Sequence, residues 1–218
     1  MLTEAYRDLK YLLNRSYRKG YALDFVANHY RLTLKERHLL ARCVFPDSWI
    51  EEVKGKLLRP EDLKGTELAI DGFNVLITLE SLLEGRAILC EDSLVRDLKY
   101  QGKYKLKEGT AELLAKIAKT LGELEVERAI FIYGRNVPKS GIVAAMTREA
   151  LKGAGVDGEA ILVKSPDHEL KGFVSVTTAD TAIITRARGV FDLARHVGEK
   201  LGKEPIELEN CLKNFQKI

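Results

Sequence analysis

The sequence of 218 residues has few cysteines and no long hydrophobic run. Its three cysteines, Cys43, Cys90 and Cys211, are odd in number and far apart along the chain, and none belongs to a C-x-x-C pair. They cannot form a full disulfide framework and do not indicate a zinc site, so we expect a reducing environment and a cytoplasmic location. The apolar runs are only a few residues long and no secretory signal opens the chain, so we expect no membrane span.

Two common catalytic motifs are absent as well. The chain has no G-x-x-x-x-G-K-[ST] loop to bind nucleotide phosphates and no G-x-S-x-G elbow to carry a catalytic serine. Its four histidines show no metal-ligand spacing. The sequence therefore argues against P-loop NTPases and serine hydrolases of the common type.

Charge is unevenly distributed along the chain. The formal net charge is only +3, but residues 1–46 contain nine basic and four acidic residues, which gives them +5 and leaves −2 for residues 47–218. Scarce Gln and Met beside abundant Lys, Arg and Glu resemble a heat-adapted composition. The basic segment indicates an anionic partner such as nucleic acid, or a basic face that is only solvated.

The hydrophobic pattern divides the chain into three parts. Residues 1–46 predict a small all-helical region, with one helix after Thr3, a second over 21–30 and a third that begins at the Thr33–Glu36 capping box and ends before Pro46. Residues 47–65 predict a connector with a short helix. Residues 66–218 predict an α/β domain, because short apolar β-branched segments alternate with helical ones.

The α/β domain is expected to have a mainly parallel sheet covered by helices on both faces. Predicted strands are 68–70, 129–133, 160–163 and 173–177. Predicted helices are a stretch after 74 to about 84, one around 94–98, and those over 110–122, 140–152 and from about 181.

Acidic residues follow several of the predicted strands. Asp71 closes the first strand, while Asp167 and Asp180 follow the third and fourth, and Asp92 with Glu91 begins the predicted helix around 94–98. Ligands bind beyond the carboxyl ends of such strands, so these side chains are expected to converge. Converging carboxylates repel unless a cation joins them, and oxygen-only ligands favour Mg²⁺ or Mn²⁺. Turn and helix-cap roles for Asp71 and Asp180 remain open.

Two of these motifs resemble a nuclease superfamily. Asp71-Gly72-Phe73-Asn74 after a short strand resembles the D-G-[YF]-N opening of NYN domains, within the PIN-like superfamily, and Thr178-Ala179-Asp180 resembles its T-x-D. The resemblance implies that Asp71, Asp167 and Asp180 bind the metal, with Asp92 as the fourth catalytic acid, and that Asn74 orients Asp71 or a water molecule. Gly134 stands where several NYN-like nucleases have an acid, which puts a second metal site in doubt.

The chain as a whole also resembles a mostly archaeal family of uncharacterised proteins. That family joins a helical N-terminal region to a domain with D-G-F-N, an acidic pair before R-D, K-S-G and S-P-D. The corresponding segments here are 71–74, 91–92 with 96–97, 139–141 and 165–167. This resemblance covers nearly the whole chain and implies no activity.

Other residues are candidates for binding a substrate. Lys139 and Ser140 open a predicted helix, where free N–H groups attract phosphate, although Ser140 could be an ordinary cap. Arg96 lies near the expected acidic cleft and could hold a phosphodiester, or form a salt bridge. Aromatic residues among the N-terminal cations could stack on unpaired bases or pack in a core: Tyr6, Tyr11, Tyr17, Tyr21, Phe25 and Tyr30.

Together these features predict a divalent-metal-dependent ribonuclease that hydrolyses phosphodiester bonds and holds RNA with its N-terminal helices. One alternative is a catalytically degenerate PIN-like domain that binds RNA or protein. Another is a phosphohydrolase acting on small substrates. The basic helical region is equally compatible with a homodimer interface.

Overall fold

The computed structural model describes residues 1–98 and 104–215, so residues 99–103 and 216–218 of the predicted α/β domain lie outside it. Its α-helices are α1 (Leu2–Asn14), α2 (Lys19–His29), α3 (Leu34–Cys43), α4 (Asp47–Lys54), α5 (Gly72–Leu83), α6 (Thr110–Glu123), α7 (Ser140–Ala154), α8 (Pro166–Leu170), α9 (Thr181–Ile184), α10 (Leu193–Lys200) and α11 (Leu208–Asn214). A 3₁₀ turn spans Pro60–Leu63. The strands are β1 (Glu67–Asp71), β2 (Ala87–Leu89), β3 (Val95–Asp97), β4 (Arg128–Gly134), β5 (Gly158–Val163), β6 (Ser175–Thr177), β7 (Gly189–Val190) and β8 (Ile206–Glu207).

A five-stranded parallel sheet forms the centre of the fold. Its order is β5-β4-β1-β6-β7, so β1 lies in the middle, between β4 and β6. The central strand buries Leu68, Ala69 and Ile70 completely, as expected for a strand covered on both faces. The predicted α/β class, with a mostly parallel sheet flanked by helices and an N-terminal helical region, is confirmed.

A second, three-stranded sheet corrects one predicted helix. Residues 94–98 do not form a helix, because Val95–Asp97 is strand β3, paired antiparallel with β2. A tight turn joins the two strands, with Ser93 at φ 64° and the Cys90 N–H bonded to the Leu94 carbonyl. On its other side β2 pairs with β8, from more than 100 residues later in the chain. Periodicity is evaluated over neighbouring residues, so it could not reveal a partner this far along the chain.

The N-terminal helices, α1 to α3, follow the predicted order. The capping box of Thr33 and Glu36 is present, and α3 ends at Cys43, before Pro46. Thr3 does not cap α1; its hydroxyl donates instead to the carbonyl of Leu212. These helices share a hydrophobic core with residues of the second sheet and of α11, namely Ile88, Cys90, Leu208, Cys211 and Leu212.

Two of the three cysteines meet in this core. Cys43, the last residue of α3, and Cys90, just after β2, form a disulfide across 47 residues of sequence. Cys211 is a buried free thiol, and burial raises its pKa to about 11. The chain thus has one covalent link and no wider disulfide framework in the described residues. No helix within 1–98 or 104–215 is long and apolar enough to cross a membrane.

Gly72 allows α5 to begin directly against the sheet. The ring of Tyr133, on β4, packs so closely against this glycine that a Cβ at position 72 would overlap it. Tyr133 is fully buried, and its hydroxyl shares a 2.8 Å hydrogen bond with the hydroxyl of Thr147 on α7. The ring therefore cannot move aside without breaking a buried contact, which explains why D-G-F-N needs its glycine.

We expect Gly72→Ala to lower the free energy of unfolding by about 1–3 kcal/mol, because overpacking forces a buried ring or the backbone to shift. Gly153→Ala is the matched control, since Gly153 lies in α7 with no atom within 4 Å of the added Cβ. That control should be neutral or slightly stabilising. Urea denaturation measures both variants, and equal stability of the two would contradict the packing argument.

Candidate active site

The carboxyl ends of β1 and β6 hold the central acidic residues of the domain. Asp71 ends β1, and the loop containing Thr178 and Asp180 follows β6. The Thr178 hydroxyl donates to Asp71 Oδ2 at 2.9 Å. The Ala179 N–H donates to Asn74 Oδ1 at 3.1 Å. Adjacent parallel strands thus bring the D-G-F-N and T-A-D motifs together, and Asn74 positions the loop that carries Asp180.

Within residues 1–98 and 104–215, no cation forms an ion pair with the Asp71 carboxylate. Burial raises its pKa to about 7, although the Thr178 hydroxyl and the Asn74 N–H oppose the rise, and the charges of Asp167 and Asp180 raise it further. A carboxylate held in this way is stabilised by any cation that binds beside it. Asp71 therefore has the electrostatic character of a metal ligand or of a proton-transfer group.

Asp180 lines the same cavity as Asp71, whereas Asp167 does not. Asp180 also caps α9, by accepting the Ala182 N–H at 2.7 Å. The two roles are compatible, because Oδ1 accepts the Ala182 N–H and the carboxylate has a second oxygen for the cavity. Asp167 lies in the first turn of α8 with an exposed side chain. Its charge acts on Asp71, but it is peripheral to the cavity.

Asp92 occupies a different place from the one that the sequence suggested. It lies in the turn between β2 and β3, and both its oxygens bind Arg96, at 2.6 and 2.7 Å. The indole N–H of Trp49 donates to the same carboxylate at 3.1 Å. Asp92 and Arg96 are 0% and 2% exposed. This carboxylate is already satisfied by a buried ion pair, so we leave Asp92 out of the site proposed below.

Arg96 forms the salt bridge that the sequence left open as the alternative to a phosphodiester contact. Its guanidinium reaches the cavity wall, but its charge is balanced by Asp92, and its Nε donates to the Ala179 carbonyl at 3.2 Å. Arg96 thereby fixes the loop that bears Asp180. The predicted phosphate site at the start of α7 lies elsewhere: neither Lys139 nor Ser140 lines the cavity, and the Ser140 hydroxyl donates to the Arg135 carbonyl at 3.4 Å.

A second partly buried carboxylate, Asp192, has a purely structural set of contacts. Burial raises its pKa to about 6, but it accepts the Val95 N–H at 2.7 Å and the Arg195 N–H at 3.0 Å. Asp192 thus joins β3 to the start of α10. Asp71 has one side-chain donor and one backbone donor and faces an open cavity, so the two buried acids differ in what surrounds them rather than in burial alone.

The cavity has a volume of about 860 Å³ and lies between the sheet edge and the N-terminal helices. The wall formed by the N-terminal helices contains Lys19 and Arg42, which the sequence did not identify as site residues. Arg42 of α3 places Nη2 3.3 Å from Asp97 Oδ2. Lys19 of α2 places Nζ 3.8 Å from the centroid of the Phe45 ring. The positive charge of residues 1–46 was visible in the sequence, but no local pattern shows which cations face the acids.

The fold and cavity define an α/β protein with an acidic site at the carboxyl edge of a parallel sheet, covered by basic helices. Domain of unknown function (DUF5616) matches residues 60–196, and Protein of unknown function (DUF434) matches residues 1–56. The chain belongs to the DUF5616 family, with a DUF434 region before it.

A relative in a thermophilic archaeon extends the similarity to nearly the whole chain. It is Uncharacterized protein MJ0935 of Methanocaldococcus jannaschii, 39% identical over 207 residues, which are 93% of this chain and 99% of the relative. No solved structure matches the chain.

The raised pKa of Asp71 predicts a pH-dependent cost to stability. The pKa of Asp71 is about 7 in the folded protein and has its ordinary value of 3.8 in the unfolded chain. Between pH 3.8 and pH 7 the folded protein therefore binds a proton at Asp71 that the unfolded chain has released. The free energy of unfolding should therefore fall as pH rises from about 4 to about 7. At pH 8 with EDTA, Asp71→Asn should be more stable than wild type by on the order of 1 kcal/mol or more.

The exposed Asp157 provides the control for this comparison. Asp157→Asn should follow the wild-type pH profile in thermal or urea unfolding. If the stability of Asp71→Asn showed the same pH dependence as that of wild type, ionisation of Asp71 would not lower the stability of the folded protein.

Proposed function

We propose that this protein is a PIN-like, divalent-metal-dependent ribonuclease that hydrolyses phosphodiester bonds in the cavity. The observation that carries the proposal is the arrangement of Asp71 and Asp180 in one cavity, at the carboxyl edge of a parallel sheet, beneath a wall of cations. The D-G-F-N and T-A-D motifs that resemble NYN domains supply these two residues.

The donor set fits a hard cation that completes its coordination with water and substrate. Within residues 1–98 and 104–215, no group of three His, Cys, Asp or Glu side chains is placed to hold a metal ion. Mg²⁺ needs fewer protein ligands than that, since it commonly binds through one or two carboxylates, water and substrate phosphates. Asp71 and Asp180 would hold Mg²⁺ or Mn²⁺, and the high pKa of Asp71 supports a cation there. When bound, such an ion would activate water and stabilise the leaving oxygen.

The protein's own groups would prepare the site for this reaction. Thr178 fixes the Asp71 carboxylate through its hydroxyl, and Asn74 fixes the loop that carries Asp180. Arg96 holds the same loop from the opposite side, through the Ala179 carbonyl. These contacts keep both acids oriented before substrate binds, which lowers the cost of assembling the site.

The outer face of α2 supports RNA as the substrate. Its aromatic strip, formed by Tyr21, Phe25 and His29, repeats every four residues, with the rings of Phe25 and His29 stacked at 6.4 Å. Tyr21 and Phe25 are 71% and 68% exposed. Asp24, on the same face, is ion-paired with Arg37, so no uncompensated acid faces a nucleic acid there. Exposed rings among cations are typical of surfaces that stack unpaired bases.

Two of the N-terminal tyrosines have structural roles instead. The Tyr6 hydroxyl donates to Glu91 at 2.7 Å, and the Tyr30 hydroxyl donates to Asp8 at 2.7 Å. These contacts separate the tyrosines that pack between elements from the exposed rings of the aromatic strip.

Cleavage of labelled single-stranded and structured RNA with Mg²⁺, Mn²⁺ or EDTA tests the proposed activity. We expect metal-dependent cleavage that falls by about a hundredfold or more in the Asp71→Asn, Asp180→Asn double variant, because both metal ligands are lost. Asp157→Asn, with its charge removed at an exposed site, should cleave as wild type does. A double variant that cleaves at the wild-type rate would contradict the assignment.

The absence of an acid at Gly134 favours a second candidate function, a PIN-like module that binds RNA without cleaving it. A Cβ at this position would approach Asn136 Oδ1 to 2.9 Å, so the Asn136 side chain would have to move to admit any larger residue. RNA binding without cleavage in any divalent metal would select this alternative.

The aromatic strip predicts a binding defect that is separate from cleavage. Tyr21→Ala with Phe25→Ala should weaken the affinity for a single-stranded oligonucleotide by about tenfold or more, because each base stack contributes roughly 1–3 kcal/mol. Tyr11→Ala is the control, since Tyr11 is also exposed but lies on α1 beneath Arg15, outside the strip. Fluorescence anisotropy with EDTA measures all three proteins. Equal weakening by the control would contradict a role specific to the strip.

A further inference from the structure

Lys19 is a basic residue in the wall of the cavity. Its side chain is partly buried, with Nζ 3.8 Å from the centroid of the Phe45 ring. Burial is the main cause that lowers its pKa, to about 7, and the charge of Arg96 lowers it further. In the described parts of the chain, no carboxylate forms an ion pair with Lys19.

The acids nearest to Lys19 are already engaged. Asp92 and Glu91 act on it only through their charge, without a hydrogen bond. Asp92 binds Arg96 through both oxygens. Glu91 accepts hydrogen bonds, at 2.7 to 3.2 Å, from Tyr6, Lys10 and the main-chain N–H of Phe45. Neither carboxylate is therefore available to neutralise the ammonium group.

Arg42 adds a second cation that is only partly satisfied. Its Nη2 contacts Asp97, but its buried Nε has no hydrogen-bond partner within residues 1–98 and 104–215. Lys19 and Arg42 line the same cavity as Asp71 and Asp180. Sheltering positive charge from water is costly unless an anion balances it. The cavity thus has carboxylates on the sheet edge and uncompensated donors on the helices.

We propose that Lys19 and Arg42, which line the same cavity, form a phosphate-binding subsite for its substrate. Phosphate supplies the negative charge and the several acceptor oxygens that an ammonium and a guanidinium require. The Phe45 ring, which also lines the cavity, contacts the ammonium at 3.8 Å from its centroid. The inference rests on the proposed function in one respect, namely that the phosphate belongs to a nucleotide chain.

Binding without divalent metal tests the subsite independently of cleavage. In EDTA, inorganic phosphate should raise the melting temperature of wild type, and Lys19→Gln should abolish this shift. Lys19→Arg, which keeps the charge, should retain it. Lys35→Gln, at an exposed position on α3, removes an equal charge outside the cavity and should behave as wild type.

Oligonucleotides identify the source of the phosphate. Lys19→Gln should weaken binding of a short single strand by about tenfold or more, because a charge-assisted contact is lost. A loss confined to the strand with a 5′-phosphate would assign the subsite to a terminal phosphate. An equal loss for strands with 5′-phosphate and 5′-hydroxyl ends would assign it to an internal phosphate.

Two results would overturn the proposal. One is a wild-type protein that phosphate does not stabilise. The other is a Lys19→Gln protein that melts at a lower temperature yet binds phosphate and both strands as wild type does, which would make Lys19 only a packing contact of Phe45. If Lys19-dependent binding were found with no cleavage in any metal, the subsite would stand and the hydrolytic function would fail.

Discussion

The buried ion pair of Asp92 and Arg96 connects the parts of the protein that surround the cavity. Asp92 receives the indole N–H of Trp49, on α4, while Arg96 reaches the Ala179 carbonyl and lies 4.9 Å from the centroid of Phe45. One pair thereby joins the second sheet, the connector, the N-terminal region and the loop of Asp180. Removing a single partner from such a pair leaves a buried charge and typically costs roughly 3–5 kcal/mol. The geometry of the cavity depends on this contact.

This ion pair holds the two walls of the cavity in place, and the two walls require ions of opposite charge. Among the described residues, Asp71 on the sheet edge has no ion-pair partner, and neither does Lys19 on the helices. Asp192 shows that the fold can satisfy a buried acid with backbone N–H groups when its role is structural. Metal and phosphate together would supply both missing charges, which is the electrostatic requirement of phosphoryl chemistry.

Four strands of the parallel sheet and the acids at its edge could be predicted from sequence, because strand ends in a parallel sheet share one edge. Asp71 and Asp180 are found in this way, and the capping box at Thr33 is local chemistry. The helical end predicted from about residue 181 is interrupted by β7 and β8. Asp92 was predicted to begin a helix because Leu94, Val95 and Leu98 fit a helical spacing. It lies instead in the turn between β2 and β3, and a distant partner of β2, strand β8, completes this sheet.

The cations that line the cavity could not be predicted from local sequence either, because their contacts are with residues distant in the chain. Lys19 and Phe45 lie 26 residues apart, and Arg42 meets Asp97 across 55 residues, so only the packing of the N-terminal helices brings them to the cavity. The start of α7 at Ser140 was located correctly, but nothing in its own sequence says which side of the sheet edge it occupies.

The disulfide between Cys43 and Cys90 links the part of the chain that matches one family covalently to the part that matches the other. The regions that match the two families, residues 1–56 and 60–196, each contain one of the linked cysteines. Closing such a loop restricts the unfolded chain, by about 4 kcal/mol in the chain-entropy account. A protease that cut the connector near Gly55 would leave two fragments held as one molecule, and they would separate only after the bond was reduced and the shared core opened.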